Sequence, residues 1–257
     1  MPPSARAPQP PPEPERPGTL LETDEDVRRA LQADRPGPPV AALAVPVAMP
    51  VAGAAPAQPY RPTQRPPVAL LTVLDDGKGD GEVLRLRADR FVIGRSEGDC
   101  LIPHDPLISA RHLEISRHRV GEQFRWVVTD LQTTNGLFIR VSRAALADKA
   151  EFLVGKGRYR FEGPGGGQPN TVDDLPADAR HGSTQPLGAD PTCAVRRIGD
   201  PFVEPRHVRL CRGANGAWQA QNNKTANGLW LKTPQITVTD SCLFQIGEQR
   251  FRLKAGG

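Results

Sequence analysis

Three stretches of this 257-residue chain occur twice, in the same order. DPLISARH (105–112) returns as DPFVEPRH (200–207) at an offset of 95 residues. TTNGLFIR (133–140) returns as TANGLWLK (225–232), and FLVGKGRYRF (152–161) returns as FQIGEQRFRL (244–253), both at an offset of 92. Trp126 and Trp218 fall at corresponding places. One match could arise by chance. Three in order, at nearly constant spacing, indicate a duplicated fold. The expected division is one unit over 68–162, a Gly/Pro/Asp-rich linker at 163–185, and a second, smaller unit over 186–257.

What precedes residue 68 is different in kind. Of the 28 prolines, 18 lie in residues 1–67, where Tyr60 is the only one of the 13 aromatics. Such a composition cannot bury enough apolar surface to offset the entropy of ordering, so a disordered Pro/Ala-rich tail is expected. One stretch reads as ordered. In 23–33 (TDEDVRRALQA), Thr23 suits a helix N-cap, with Asp24, Glu25 and Asp26 in the first turn. Val27, Ala30 and Leu31 make a small apolar face. A helix of about ten residues is marginal alone in water, so 24–33 is expected to be a docking motif or a fluctuating helix.

After residue 67 the hydrophobic period becomes two. VALLTVL (68–74), EVLRLR (82–87) and further short runs at 91–94, 100–102, 113–116, 124–129, 137–140, 152–154 and 158–161 are separated by turn residues. Many short strands without a helical pattern between them predict an all-β antiparallel sandwich, with a smaller β-sandwich copy behind it.

Charge and cysteines narrow the function classes. The formal net charge is +4, and the tail is neutral with seven Arg and seven acids. A scattered excess is poor support for nucleic acid, which selects clustered basic stripes, and fits a basic groove for a small anion equally well. Cys100, Cys193, Cys211 and Cys242 form no C-x-x-C pair, so free thiols in a reducing cytoplasm are expected. Residues 40–56 are apolar but interrupted by Pro46 and Pro50, and too short for a spanning helix. No apolar leader follows MPPSARAPQPPP. Arg outnumbers Lys 27 to 6, which suggests a GC-rich, bacterial coding sequence. No metal-ligand spacing, Gly-rich phosphate loop with a lysine, or nucleophile elbow is present, so no cofactor, no metal and no enzymatic activity are expected.

Three polar clusters sit on strand–loop boundaries: FVIGRS (91–96), ISARH (108–112) and DLQTTNG (130–136). An arginine fork, two hydroxyls and an Asn presented together suit a phosphate dianion and an extended peptide. G-R, then S-x-x-H, then T-N-G in this order resembles the forkhead-associated (FHA) domain, a phosphothreonine-peptide reader, over about 68–162. The resemblance implies that Arg95 pairs with the phosphate and Ser109 donates its hydroxyl to it. Thr134 would touch the phosphothreonine, and Asn135 would bond the peptide backbone. Arg111, at a variable position, could add a second cation. Gly94, His112 and Gly136 would shape the loops. The chain departs from the family after Arg140, where VSRAALADKA (141–150) replaces the usual Asn-Gly turn.

In the second unit the arginine position reads Gly188-Ala189, Ser109 becomes Glu204 and Thr134 becomes Ala226, while Asn227, Gly228 and His207 remain. A carboxylate at Glu204 repels a dianion, so no phosphopeptide binding is expected there. The first strands are missing as well, which leaves an edge that the first unit, the tail or a second chain must cover. The expected function is a non-enzymatic phosphothreonine-binding adaptor in Ser/Thr kinase signalling, its partners being phosphothreonine proteins and the kinase. The alternative is a scaffold that uses the sandwich for phosphate-independent protein interaction. Neither nucleic acid nor membrane is expected as a partner. Thr23, followed by three acids, is a candidate phosphorylation site through which the tail could fold back onto Arg95 and Ser109.

Overall fold

Alternation sets the strands. In residues 69–74 the deepest side chains are Ala69, Leu71 and Val73, every second residue, as one face on a core requires. The structure is a computed structural model that describes residues 20–22, 26, 68–74, 81–121, 123–162, 185–212 and 217–256. The rest of the tail, residues 75–80 and residues 163–184 lie outside the described residues. So does the expected helix at 24–33, apart from Asp26, which is helical.

The fold is all-β. The first ten strands are β1 (Leu20–Leu21), β2 (Ala69–Leu74), β3 (Val83–Leu86), β4 (Arg90–Gly94), β5 (Cys100–Leu101), β6 (Leu113–Val120), β7 (Gln123–Asp130), β8 (Leu137–Ala145), β9 (Glu151–Val154) and β10 (Gly157–Arg160). Eight follow: β11 (Gln185–Gly188), β12 (Val195–Arg196), β13 (Val208–Arg212), β14 (Trp218–Asn222), β15 (Leu229–Thr233), β16 (Gln235–Val238), β17 (Ser241–Ile246) and β18 (Gln249–Lys254). One sheet has the order β16-β7-β6-β4-β5. The other runs β12-β11-β13-β14-β8-β17-β18-β2-β3, with β1 and β15 also on β8, and β9-β10 on β15. Leu71, Ile93, Ile115, Trp126, Phe152, Phe244 and Phe251 lie in one buried core that spans both repeats. Cys193 and Cys242 are buried, Cys100 and Cys211 half-buried, and no disulfide joins any of the four.

The strands do not divide at the linker. β18 pairs with β2 (Phe251 opposite Val73), β17 with β8 (Phe244 opposite Ile139) and β16 with β7 (Ile236 opposite Val128). In the reverse direction, β9 pairs with β15 and β14 pairs with the end of β8. The expected arrangement, one unit on each side of 163–185, is therefore not how the strands pair. The physical reason lies in 141–150. Nothing in VSRAA turns the chain, so β8 runs on to Ala145, and the first turn comes where the Ala150 N–H donates to the Ala147 carbonyl.

A local two-fold relates the two repeats. In the β8–β15 ladder Ile139 faces Leu231, its own counterpart 92 residues on. Reciprocal tethers flank this point. The buried Asp105 carboxylate accepts the Glu248 N–H at 2.7 Å, and Asp200 accepts the Lys156 N–H at 2.8 Å. The stacked pair Phe152–Tyr159 has its counterpart in Phe244–Phe251, with centroids 5.4 and 5.0 Å apart.

Glu151 joins β9 to its neighbours. It accepts from Arg158 (2.6 Å), Arg160 (3.1 Å) and Lys232 (3.1 Å). Burial alone would raise its pKa, but these hydrogen bonds outweigh burial and hold the carboxyl at about 2. A carboxyl depressed in the folded state contributes stability above its unfolded value near 4.5 and loses it as pH falls from there toward 2. Glu151→Gln is expected to lower the melting temperature at neutral pH and to flatten its acid decline between about pH 4.5 and 2. Parallel melting-temperature curves for the two proteins would count against this role.

Candidate functional site

Strand β4 ends at Gly94, where an added Cβ would strike the carbonyl oxygens of Ala110 and Glu97. That close approach lets the next loop clasp the one before β6. The Arg95 N–H donates to the Ser109 carbonyl at 2.9 Å, and the Glu97 N–H to the Ala110 carbonyl at 2.9 Å. The third loop joins through Asn135, whose Nδ2 donates to the Leu107 carbonyl at 2.8 Å. Gly136, at φ +79°, turns that loop into β8.

His112 holds the three loops together and is fully buried. Its N–H donates to the Ile93 carbonyl, and its carbonyl accepts the Leu131 N–H, both at 2.9 Å. Nδ1 accepts the Ser109 N–H at 3.0 Å, so the ring proton belongs on Nε2. Nε2 in turn faces the Gly136 carbonyl at 3.2 Å and Thr133 Oγ1 at 3.0 Å. Thr133 donates its hydroxyl to Asp130 at 2.6 Å and accepts the Gly136 N–H at 3.1 Å. Burial lowers the His112 pKa, partly opposed by the Gly136 carbonyl and the charges of Asp130 and Asp105. A protonated Nδ1 would point a hydrogen at the Ser109 N–H, which is the same preference in local terms. His112→Ala strips partners from buried donors and should cost on the order of 1–3 kcal/mol in denaturant unfolding. A loss below a few tenths would contradict the clamp.

The residues singled out from sequence thus lie on three loops hydrogen-bonded to one another. Arg95, Arg111 and Thr134 are exposed, and Ser109 and Asn135 half-buried. Among the described residues, no side-chain hydrogen bond or ion pair engages the Arg95 guanidinium or the Ser109 and Thr134 hydroxyls. Among the described residues they are unengaged donors on the three joined loops. Sequence reasoning passed over Thr133 and Asp130, which brace the loop from below. The signal was present, because Thr133 persists as Thr225 where its neighbour Thr134 does not.

The same framework recurs in the second repeat. His207 Nδ1 accepts the Glu204 N–H at 3.1 Å, and Nε2 lies 3.0 Å from the Gly228 carbonyl and 2.9 Å from Thr225 Oγ1. Asn227 donates to the Phe202 carbonyl at 3.1 Å. The upper rim differs. Ala189 stands after Gly188, and the Glu204 carboxylate accepts the Ala226 N–H at 2.7 Å.

The tail also touches this half. β1 pairs antiparallel with β8, Leu20 opposite Arg143 and Leu21 opposite Val141. The Glu22 carboxylate is buried against Arg140 and Asn222. No helix among the described residues is long and apolar enough to cross a membrane.

Comparison with known proteins agrees with the loop motifs. The FHA domain family model matches residues 91–155. No curated protein matches the chain. Among solved structures, the chain is similar to one described as a structural and functional analysis of phosphothreonine-dependent FHA domain interactions. It shares 15% identity with it, over 73% of this chain and 95% of that one, with a TM-score of 0.31. It is similar to the FHA domain of the CT664 protein from Chlamydia trachomatis at 13% identity, covering 73% and 96%, with a TM-score of 0.32. A third is the FhaA FHA domain complexed with the intracellular domain of Rv3910, at 14% identity, covering 72% and 99%, with a TM-score of 0.30.

Proposed function

We propose that this protein is a non-enzymatic adaptor that reads phosphothreonine peptides in Ser/Thr kinase signalling, through Arg95, Ser109, Thr134 and Asn135, with Arg111 as a second cation. The observation that carries the reading is the group of unengaged donors on three loops locked together by His112, within the segment that matches the FHA domain. A planar guanidinium and two hydroxyls suit a phosphate dianion. Asn135, already fixed to the Leu107 carbonyl through Nδ2, keeps its amide oxygen for a peptide N–H. The reader would be discontinuous: 68–140 closed by 234–256.

The second repeat, in this reading, is a degenerate FHA-like unit. Its Glu204 carboxylate takes the loop N–H at the Thr134 counterpart and places a negative charge where a phosphate would sit. A Thr23 phosphate could still serve as an intramolecular ligand, but the tail would first have to withdraw Glu22 from Arg140. Mass spectrometry after kinase treatment tests that step, and a Thr23 that stays unmodified removes it. Isothermal titration of the full chain with matched phosphothreonine and unphosphorylated peptides tests the main reading. Equal affinity for the two would favour a phosphate-independent scaffold.

A further inference from the structure

The degenerate half has lost a phosphate rim and holds a carboxylate on its underside. Asn222 stands where the first repeat has Asp130, and Arg140 stands where the second has Lys232. Asn222 Oδ1 accepts the Thr225 hydroxyl at 2.7 Å and its N–H at 3.4 Å, which aims Nδ2 at the Glu22 carboxylate. Arg140 donates through Nε to the other carboxylate oxygen and through Nη2 to the Thr225 carbonyl at 3.1 Å. Both side chains are nine-tenths or more buried. In the first repeat the same place cannot hold a carboxylate. Asp130 would repel it, and Lys232 is engaged with Glu151.

Arg140 needs an anion there. It lies near the Trp230 ring and close to a second, half-buried cation, Arg250, whose pKa is lowered to about 10 by desolvation and then by the charge of Arg140. A buried guanidinium without a partner is costly. The chain meets the need with a short strap. Two ladder residues, Leu21 against the core, and one carboxylate engage, tethered by 45 residues (23–67) to β2. A segment of the same chain competes with a free peptide at an effective concentration on the order of millimolar.

We propose that the edge of β8 covered by β1, with Arg140 and Asn222, is a second peptide-binding site. It takes an unphosphorylated, extended segment of a partner carrying an aliphatic residue followed by a carboxylate, and in the free protein Leu20–Glu22 holds it shut. Recognition is by strand addition, with the buried Arg–Asn pair selecting the acid. The site is independent of Arg95.

The test uses the full chain and a synthetic peptide of residues 17–26. With the strap broken by L21A/E22A, the peptide is expected to bind saturably and to raise the melting temperature. Adding N222D to that background, or using the peptide with Gln for Glu22, should weaken binding at least tenfold. Adding R95A should leave it unchanged. In the wild-type chain, NMR should show the Leu21 and Glu22 amides moving to free positions as peptide reaches millimolar concentration, a measurement that needs no variant to fold. Equal binding by the wild-type and strap-broken chains would overturn the proposal. So would a wild-type strap unmoved at several millimolar peptide, or indifference to N222D.

Discussion

A fragment of residues 68–162 is expected not to exist as a folded monomer. The strands that close its sheets come from the far end of the chain: β16 on β7, β17 on β8 and β18 on β2. Removing them uncovers the places filled by Val238, Cys242, Phe244, Ile246, Phe251 and Leu253, each at most 2% exposed. At about 1.5–3 kcal/mol per fully buried apolar side chain, that loss is comparable to the roughly 5–15 kcal/mol stability of a domain. The fragment does contain the counterpart hairpin, β9–β10, but β8 carries the chain past the point where it would have to turn back. Two fragments could satisfy each other by reciprocal exchange, giving a dimer. Sedimentation with circular dichroism distinguishes the outcomes. A dimer or an unfolded chain agrees with the pairing, and a cooperative, folded monomer contradicts it.

Arg95→Ala is expected to weaken phosphopeptide binding by the full chain at least tenfold. The guanidinium is exposed at the end of β4, and its backbone is pinned by the Ser109 carbonyl. It is therefore positioned without being engaged. A charge-assisted contact to a dianion is worth about 1.5–3 kcal/mol, more when both prongs of the fork are used, so a loss of ten- to several-hundred-fold follows. The fold should not notice, because the side chain supports nothing else among the described residues. Arg95→Lys should recover only part of the affinity, since an ammonium cannot present the planar fork. Unchanged affinity in the alanine variant would remove Arg95 from the site.

Much of this was legible in the sequence. Period-two alternation located the strands from 68 onward, because a strand with one buried face must alternate. The order G-R, S-x-x-H, T-N-G located the loops that His112 clamps. The repeat located its own counterparts, down to Glu204 and Ala226. The exchange of strands was not legible. Two copies of one pattern make the hairpins at 151–160 and 241–254 equally suited to either partner, and only the missing turn after Arg140 breaks the tie. The strap was also hidden. Glu22 reads as one acid among several, and its burial follows from a long-range meeting with Arg140 and Asn222 that no local pattern encodes. The helix expected at 24–33 rests on a cap and a small apolar face, with Asp26 its one described residue.

The most direct test of phosphothreonine reading is titration of the full wild-type chain with three peptides identical except at one residue: phosphothreonine, phosphoserine and unmodified threonine. The Arg95, Ser109 and Thr134 site predicts saturable binding of the phosphothreonine peptide and at least tenfold weaker binding of the other two. Equal binding of the phosphothreonine and unmodified peptides would contradict it.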